Sequence, residues 1–191
     1  MSQAQARIAE STTLNGLEPA ALEQAVAAIS AEPAQGLIAF RATTSWQGRL
    51  RARTEISSYD LGGQTIARRH HVMSDEPLEV LGDNSAPNPQ ELLMSALASC
   101  MMVGFVVQCT VQGIRVDTLE IDTELGLDMR GAFGIDPSIP AGTDKVKYTI
   151  RVRGTGTREQ FEEIHREVTK TSPNYFHIAN PIPFESALVV E

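Results

Sequence analysis

Only two cysteines, Cys100 and Cys109, occur in the 191 residues, too few for a disulfide framework. They lie in one apolar stretch, nine positions apart. Nine steps of about 100° put them on opposite faces of a helix, so they cannot bridge within a chain. Both read as free thiols in a reducing compartment. The N-terminus, MSQAQARIAE, has no apolar signal core, and together these features predict a cytoplasmic protein. Positive charge is also scarce. Sixteen Lys and Arg against 24 Asp and Glu leave a net charge of -8, which argues against a nucleic-acid partner and reads as plain solubility. Metal and cofactor motifs are missing too: the chain has no HExxH, P-loop, GxSxG or GxGxxG. His70 and His71 are adjacent and would point to opposite faces of a strand. His165-Arg166-Glu167 lacks the PCxxC that a zinc deaminase requires, so His165 and His177 read as surface or structural residues. No metal and no cofactor are expected.

Charge is absent altogether from Leu92 to Ile114, and the chain is organised around that stretch. Asn88 is a good N-cap, Pro89 suits the first helical position, and Glu91 completes a capping-box pattern with Asn88. Gly113 is a natural stop. A helix over this span would be roughly 36 Å long. Its length admits a membrane span. Against that stand Ser95, Ser99, Gln108, Thr110 and Gln112, the lack of a second such segment, and the lack of a flanking basic cluster. A core helix, apolar on every face and wrapped by sheet, is the preferred reading, with no membrane partner.

The remaining pattern is that of one globular domain with an extension. Residues 1–16 read as poorly ordered. Leu17–Glu32 reads as a helix with Leu22, Val26 and Ile29 on one stripe, either packed on the main body or serving as a partner-binding arm. Residues 1–36 are thus a helical extension and 37–191 the main domain. Leu37–Trp46, a second alternating run from Arg49 to Ile56, and Gln64–Met73 form an antiparallel meander with turns at Gln47-Gly48 and Leu61-Gly62-Gly63. Arg49, Arg51 and Arg53 make a basic stripe, most simply a solvated face. Residues 74–88 are a loop. Val116–Met129 and Lys145–Arg153 alternate as strands around a Gly/Pro loop over 130–143, either a lid or an inert excursion. Thr157 and Gln160 cap a helix that buries Phe161, Ile164 and Val168 and stops before Ser172-Pro173. A last strand is expected at Phe184–Val190. Strands cluster rather than alternate with helices, which makes the fold α+β.

Cys100 alone would read as a small core hydrophobe. Its context changes that. PNPQELLMSALASCMMVGFVVQC, followed by GIRVDTLEID, resembles the OsmC/Ohr superfamily of osmotically inducible and organic hydroperoxide resistance proteins. The resemblance covers about residues 37–191. It implies antiparallel sheets around a long buried helix, an intertwined homodimer, and active sites at the subunit interface. It further implies that Cys100 attacks an organic hydroperoxide, that a second cysteine resolves the sulfenic acid, and that a dithiol such as dihydrolipoamide regenerates the thiol. An arginine and a glutamate would activate the thiolate.

Two departures stand out. Ser172-Pro173 replaces the family's resolving Cys-Pro, and Gln90 stands where the peroxidases carry glutamate. Glu91 follows, but nine positions from Cys100 it lies on the opposite helical face, and capping explains it. Arg49 is the best candidate for the activating arginine, with Arg51 and Arg53 behind it. The expected activity is a stress-response thiol peroxidase that acts through Cys100, with Arg49 stabilising the thiolate, Gln90 or Glu91 orienting Arg49, and an external thiol or dithiol as reductant. The rival reading is a non-peroxidatic member that binds a small apolar ligand or electrophile at the dimer interface. Met94, Met101 and Met102 near Cys100 read as ordinary core filler, or else as an adaptable apolar pocket for a fatty hydroperoxide. In a third reading the dimer is a scaffold for a partner that docks on the Leu17–Glu32 helix.

Overall fold

The computed structural model describes residues 13–190. The expectation of poor order over 1–16 therefore falls mostly outside the described residues. Within its last part, the backbones of Leu14 and Leu17 exchange hydrogen bonds of 2.8 and 2.9 Å across a turn. The chain divides into two compact units, 1–93 and 94–191.

The first unit begins with α1 (Pro19–Ala31), which starts on a proline at its N-terminal position. None of its residues is buried, and Val26 is 66% exposed. The stripe of Leu22, Val26 and Ile29 thus buries no residue fully within this unit. The sheet that follows is built on β3 (Ala52–Leu61). On one side β3 pairs antiparallel with β1 (Ile38–Phe40) and β2 (Thr43–Trp46), and on the other with β4 (Gln64–Ser74). The single strand expected over Leu37–Trp46 is thus two short ones. Phe40 faces Tyr59 while Thr43 faces Glu55, so β3 has one residue more than its partner between these pairs. The β3–β4 register shifts at the same height, between Ile56 and Ser58, as bulged strands do. The β3–β4 turn needs positive φ at both central residues, and Gly62 and Gly63 provide it at 55° and 79°. Ile38, Phe40 and Trp46 follow the expected period, yet Trp46 is 76% exposed and none of the three is buried.

Helix α2 (Pro89–Val111) runs from the first unit into the second. Its start is a closed capping box: the Asn88 N–H donates to the Glu91 carboxylate at 2.7 Å, and the Glu91 N–H donates to the Asn88 side chain at 2.8 Å. Its end is a Schellman motif. The Ile114 N–H donates to the Cys109 carbonyl, the Gly113 N–H to the Thr110 carbonyl, and Gly113 takes φ 70°.

In the second unit β5 (Val116–Leu125) and β6 (Val146–Gly154) form one antiparallel pair with Ile121 opposite Ile150. Leu97, Met101, Phe105 and Cys109, spaced one turn apart on α2, form its core with Ile114 and with Ile164 and Val168 of α4 (Arg158–Thr171). Val116, Leu119, Ile121, Tyr148 and Ile150 pack against that cluster. Helix α2 has the length and apolarity of a membrane span, but this face of it is the core of the unit. It is not buried on every side, however: Leu93, Val103 and Val111 are exposed.

Three further expectations are corrected here. Strand β5 ends at Leu125 rather than Met129. Beyond Gly126, Asp128 caps the short α3 (Met129–Ala132) by accepting from the Arg130 N–H. The Ser172-Pro173 stop is also a start, because Ser172 N-caps α5 (Pro173–Ala179) with proline in its first turn. Finally, residues 184–190 form no strand. Phe184 is 90% exposed, and the segment has no ladder partner among the described residues. Period-two alternation marks extended backbone, but a strand also requires an edge to pair with.

Candidate functional site

The two thiols differ in kind. Cys109 is fully buried in the core, and desolvation pushes its thiol up to about 11, so it is inert near neutral pH. Cys100, on the opposite face of α2, is half-buried, and both are free. The Ser172 hydroxyl donates to Cys100 Sγ at 3.3 Å. Two further contacts hold that hydroxyl in place: the Tyr175 N–H donates to Ser172 Oγ at 3.3 Å, and Asn174 Nδ2 donates to the Ala96 carbonyl at 2.8 Å. The junction of α4 and α5 is thereby fastened to α2 one turn before Cys100.

Beside this lies a cavity of about 350 Å³ within the second unit, walled by Leu97, Val146, Tyr148, Tyr175 and Ile178, with Lys145 also on its lining. Tyr148 is hydrogen-bonded to His165 Nε2 at 2.7 Å. No group of three His, Cys, Asp or Glu residues could hold a metal among the described residues.

The arginines lie in the first unit. Arg49 has φ 53°, donates to the Leu81 carbonyl at 3.1 Å, and pairs with Asp83 at 3.1 Å. Arg51 shares Asp83 at 3.8 Å, and its buried Nε has no hydrogen-bond partner among the described residues. Arg53 pairs with Glu55 instead, 2.5 Å away. The carboxylate on Arg49 is thus Asp83, while the Glu91 carboxylate is held by its capping bond to the Asn88 N–H.

Asp83 is itself placed by a residue that sequence reasoning missed. Buried Asp75 accepts from the Glu76, Asp83 and Ser85 N–H groups and from the Ser85 hydroxyl, at 2.8, 3.2, 3.0 and 2.7 Å. The loop folds so tightly around it that a Cβ at Gly82 would overlap the Glu76 carbonyl. An Asp in a Pro/Gly-rich loop with Ser ten positions on was the only available signal.

The Ser85 hydroxyl, aided by the three backbone donors, holds the Asp75 carboxyl below its ordinary value, although desolvation opposes the shift. A depressed folded-state value stabilises the fold fully above the unfolded value of about 4, and this contribution is lost as pH falls through the folded one. Asp75→Asn should therefore lower the melting temperature at pH 7, and the gap to wild type should narrow below about pH 4. Thermal melts from pH 7 to 3 check this. A gap that does not change with pH would contradict it.

The antiparallel sheets, the long apolar helix and its half-open thiol define a thiol-bearing α+β protein. The sequence model described as OsmC-like protein matches residues 82–187, more than half of the chain, and the chain belongs to that family. The crystal structure of an OsmC-like protein from Mycoplasma pneumoniae is similar, with a TM-score of 0.58 at 13% identity over 74% of this chain and 87% of that one. An OsmC-like protein of unknown function from Vibrio cholerae gives 0.53 at 15% identity over 72% and 91%. Among curated proteins none matches the chain.

Proposed function

We propose that the protein is a thiol-dependent reductase of organic hydroperoxides that acts through Cys100. The observation that carries this reading is the half-open Cys100 thiol with a hydroxyl donor at its sulfur, set against the sealed Cys109. The thiolate sulfur attacks the peroxide. An S–O bond forms, the O–O bond breaks, and the electron pair leaves on the alkoxide, which takes a proton to become the alcohol. An external thiol then converts the sulfenic acid to a mixed disulfide and water, and a second thiol releases Cys100 with formation of the reductant's disulfide. Arg49 is the proposed cation for the thiolate, with Arg51 as its alternate because one buried donor on it is unspent. Gln90 or Glu91 would orient the arginine, and Asp83, which holds Arg49, joins them.

The working form in this reading is a cytoplasmic homodimer active under oxidative stress. Exposed Phe40 and Trp46, and the apolar run at 184–190, support such an assembly because a second copy could cover them.

Reduced protein exposed briefly to cumene hydroperoxide, with hydrogen peroxide alongside, should show rapid oxidation confined to Cys100 by peptide mass spectrometry. The organic peroxide should be preferred, and a dithiol should reverse the change. A thiol no faster than free cysteine would sink this reading. The second reading, capture of a small apolar ligand, would then take its place. It is favoured by the cavity between Leu97 and Ile178.

A further inference from the structure

We propose that Ser172 is a catalytic residue of the Cys100 site, with its hydroxyl proton directed at the sulfur. This rests on the reading of Cys100 as the reactive thiol. A serine hydroxyl has one proton and two lone pairs. The Tyr175 N–H occupies one lone pair, and the hydroxyl donates to Cys100 Sγ, 3.3 Å away, an arrangement that a thiolate, which has no proton to give back, enforces. At 4% exposure, water offers Ser172 little competition. Pro173 restricts the backbone on one side, and the Asn174 bond to the Ala96 carbonyl anchors it to α2. The donor is thus pre-positioned rather than recruited.

A donor aimed at sulfur favours the anion over the neutral thiol, because hydrogen bonds to charged acceptors are the stronger ones. The same hydroxyl faces the product. Once the sulfur carries an OH, Ser172 has no thiol with which to displace it, so the sulfenic acid is held beside a neutral donor until an outside thiol arrives. Position 172 therefore both activates the nucleophile and preserves its oxidised form.

The test is the pH profile of iodoacetamide alkylation at Cys100, read by peptide mass spectrometry in wild type, Ser172→Ala, Ser172→Thr and Asn174→Ala. Ser172→Ala should displace the profile to higher pH and slow alkylation about tenfold on its acidic limb. Ser172→Thr, which keeps the hydroxyl, should restore most of the rate. Asn174→Ala, which loosens the anchor of that hydroxyl but keeps the hydroxyl itself, should displace the profile in the same direction by clearly less than Ser172→Ala. An unshifted profile in Ser172→Ala overturns the proposal. So does an equal displacement in Asn174→Ala, which would make the effect one of packing. Alkylation involves no peroxide, so a shifted profile in a protein that ignores hydroperoxides would remove the peroxidase reading and leave the role of Ser172 standing.

Discussion

A Ser172→Cys variant treated with one equivalent of hydroperoxide is expected to join position 172 to Cys100 by an intrachain disulfide. The oxygen that now bonds Sγ is 3.3 Å away and a disulfide spans about 2.05 Å, so the incoming sulfur has to close roughly 1 Å, within the play of two side-chain rotations. Chemically, the sulfenic acid at Cys100 would be displaced by the neighbouring thiol with loss of water, faster than any external thiol could arrive. In the proposed cycle the variant would then turn over best with a dithiol, whereas the parent would accept a simple thiol. Because the linked residues are 72 positions apart, the cross-link removes much chain entropy from the unfolded state, about 4 kcal/mol in the loop-closure picture. The oxidised variant should melt roughly 10 °C above its reduced form. Non-reducing peptide mapping reads the bond, and melts with and without dithiothreitol read the stability. An unlinked pair after full oxidation of Cys100 would show that the two side chains do not meet in solution.

Replacing Phe105 by Ala is expected to be the most damaging single change to stability. Phe105 lies at the middle of the buried face of α2, 1% exposed, with its ring 6.2 Å from that of Phe161. Truncation there loses the transfer term and leaves a cavity lined by side chains that cannot all collapse into it, about 3–5 kcal/mol in total. At ~2–4 °C per kcal/mol this lowers the melting temperature by about 10 °C. Val103→Ala, on the exposed side of the same helix, should cost under about 0.5 kcal/mol if that side meets water. A Val103 loss comparable to that of Phe105 would instead mean that the face is covered in solution, as a second copy of the chain would cover it. Chemical denaturation of the two variants separates these outcomes.

The contrast between Phe105 and Val103 also marks how far the sequence could be read. Both belong to a stretch whose apolar residues cover every side, so periodicity could not choose the buried face; the packing of β5, β6 and α4 did. Trp46 and Phe184 show the same limit. Their alternation predicted extended chain, but whether a face is covered depends on what packs against it, and α1, with no buried residue, supplies no covering face of its own. Ser172-Pro173 was read as a stop and is equally a start, since the residues that end one helix are those that cap the next.

At the site, Cys100 was singled out by its context in the chain, and the distinction from Cys109 follows from simple angular arithmetic along one helix. The bond from Ser172, 72 positions away, and the pairing of Arg49 with Asp83 through a loop wound on Asp75 were not visible. The sequence by itself determined the local features: the capping boxes at Asn88 and Thr157, the Gly62-Gly63 turn, the Gly113 stop and the strand period, because each depends on residues within a few positions of one another. Only the tertiary structure decided which apolar face is buried and which hydroxyl meets the thiol, because those contacts join segments far apart in the chain, and their selection is a property of packing rather than of any local preference.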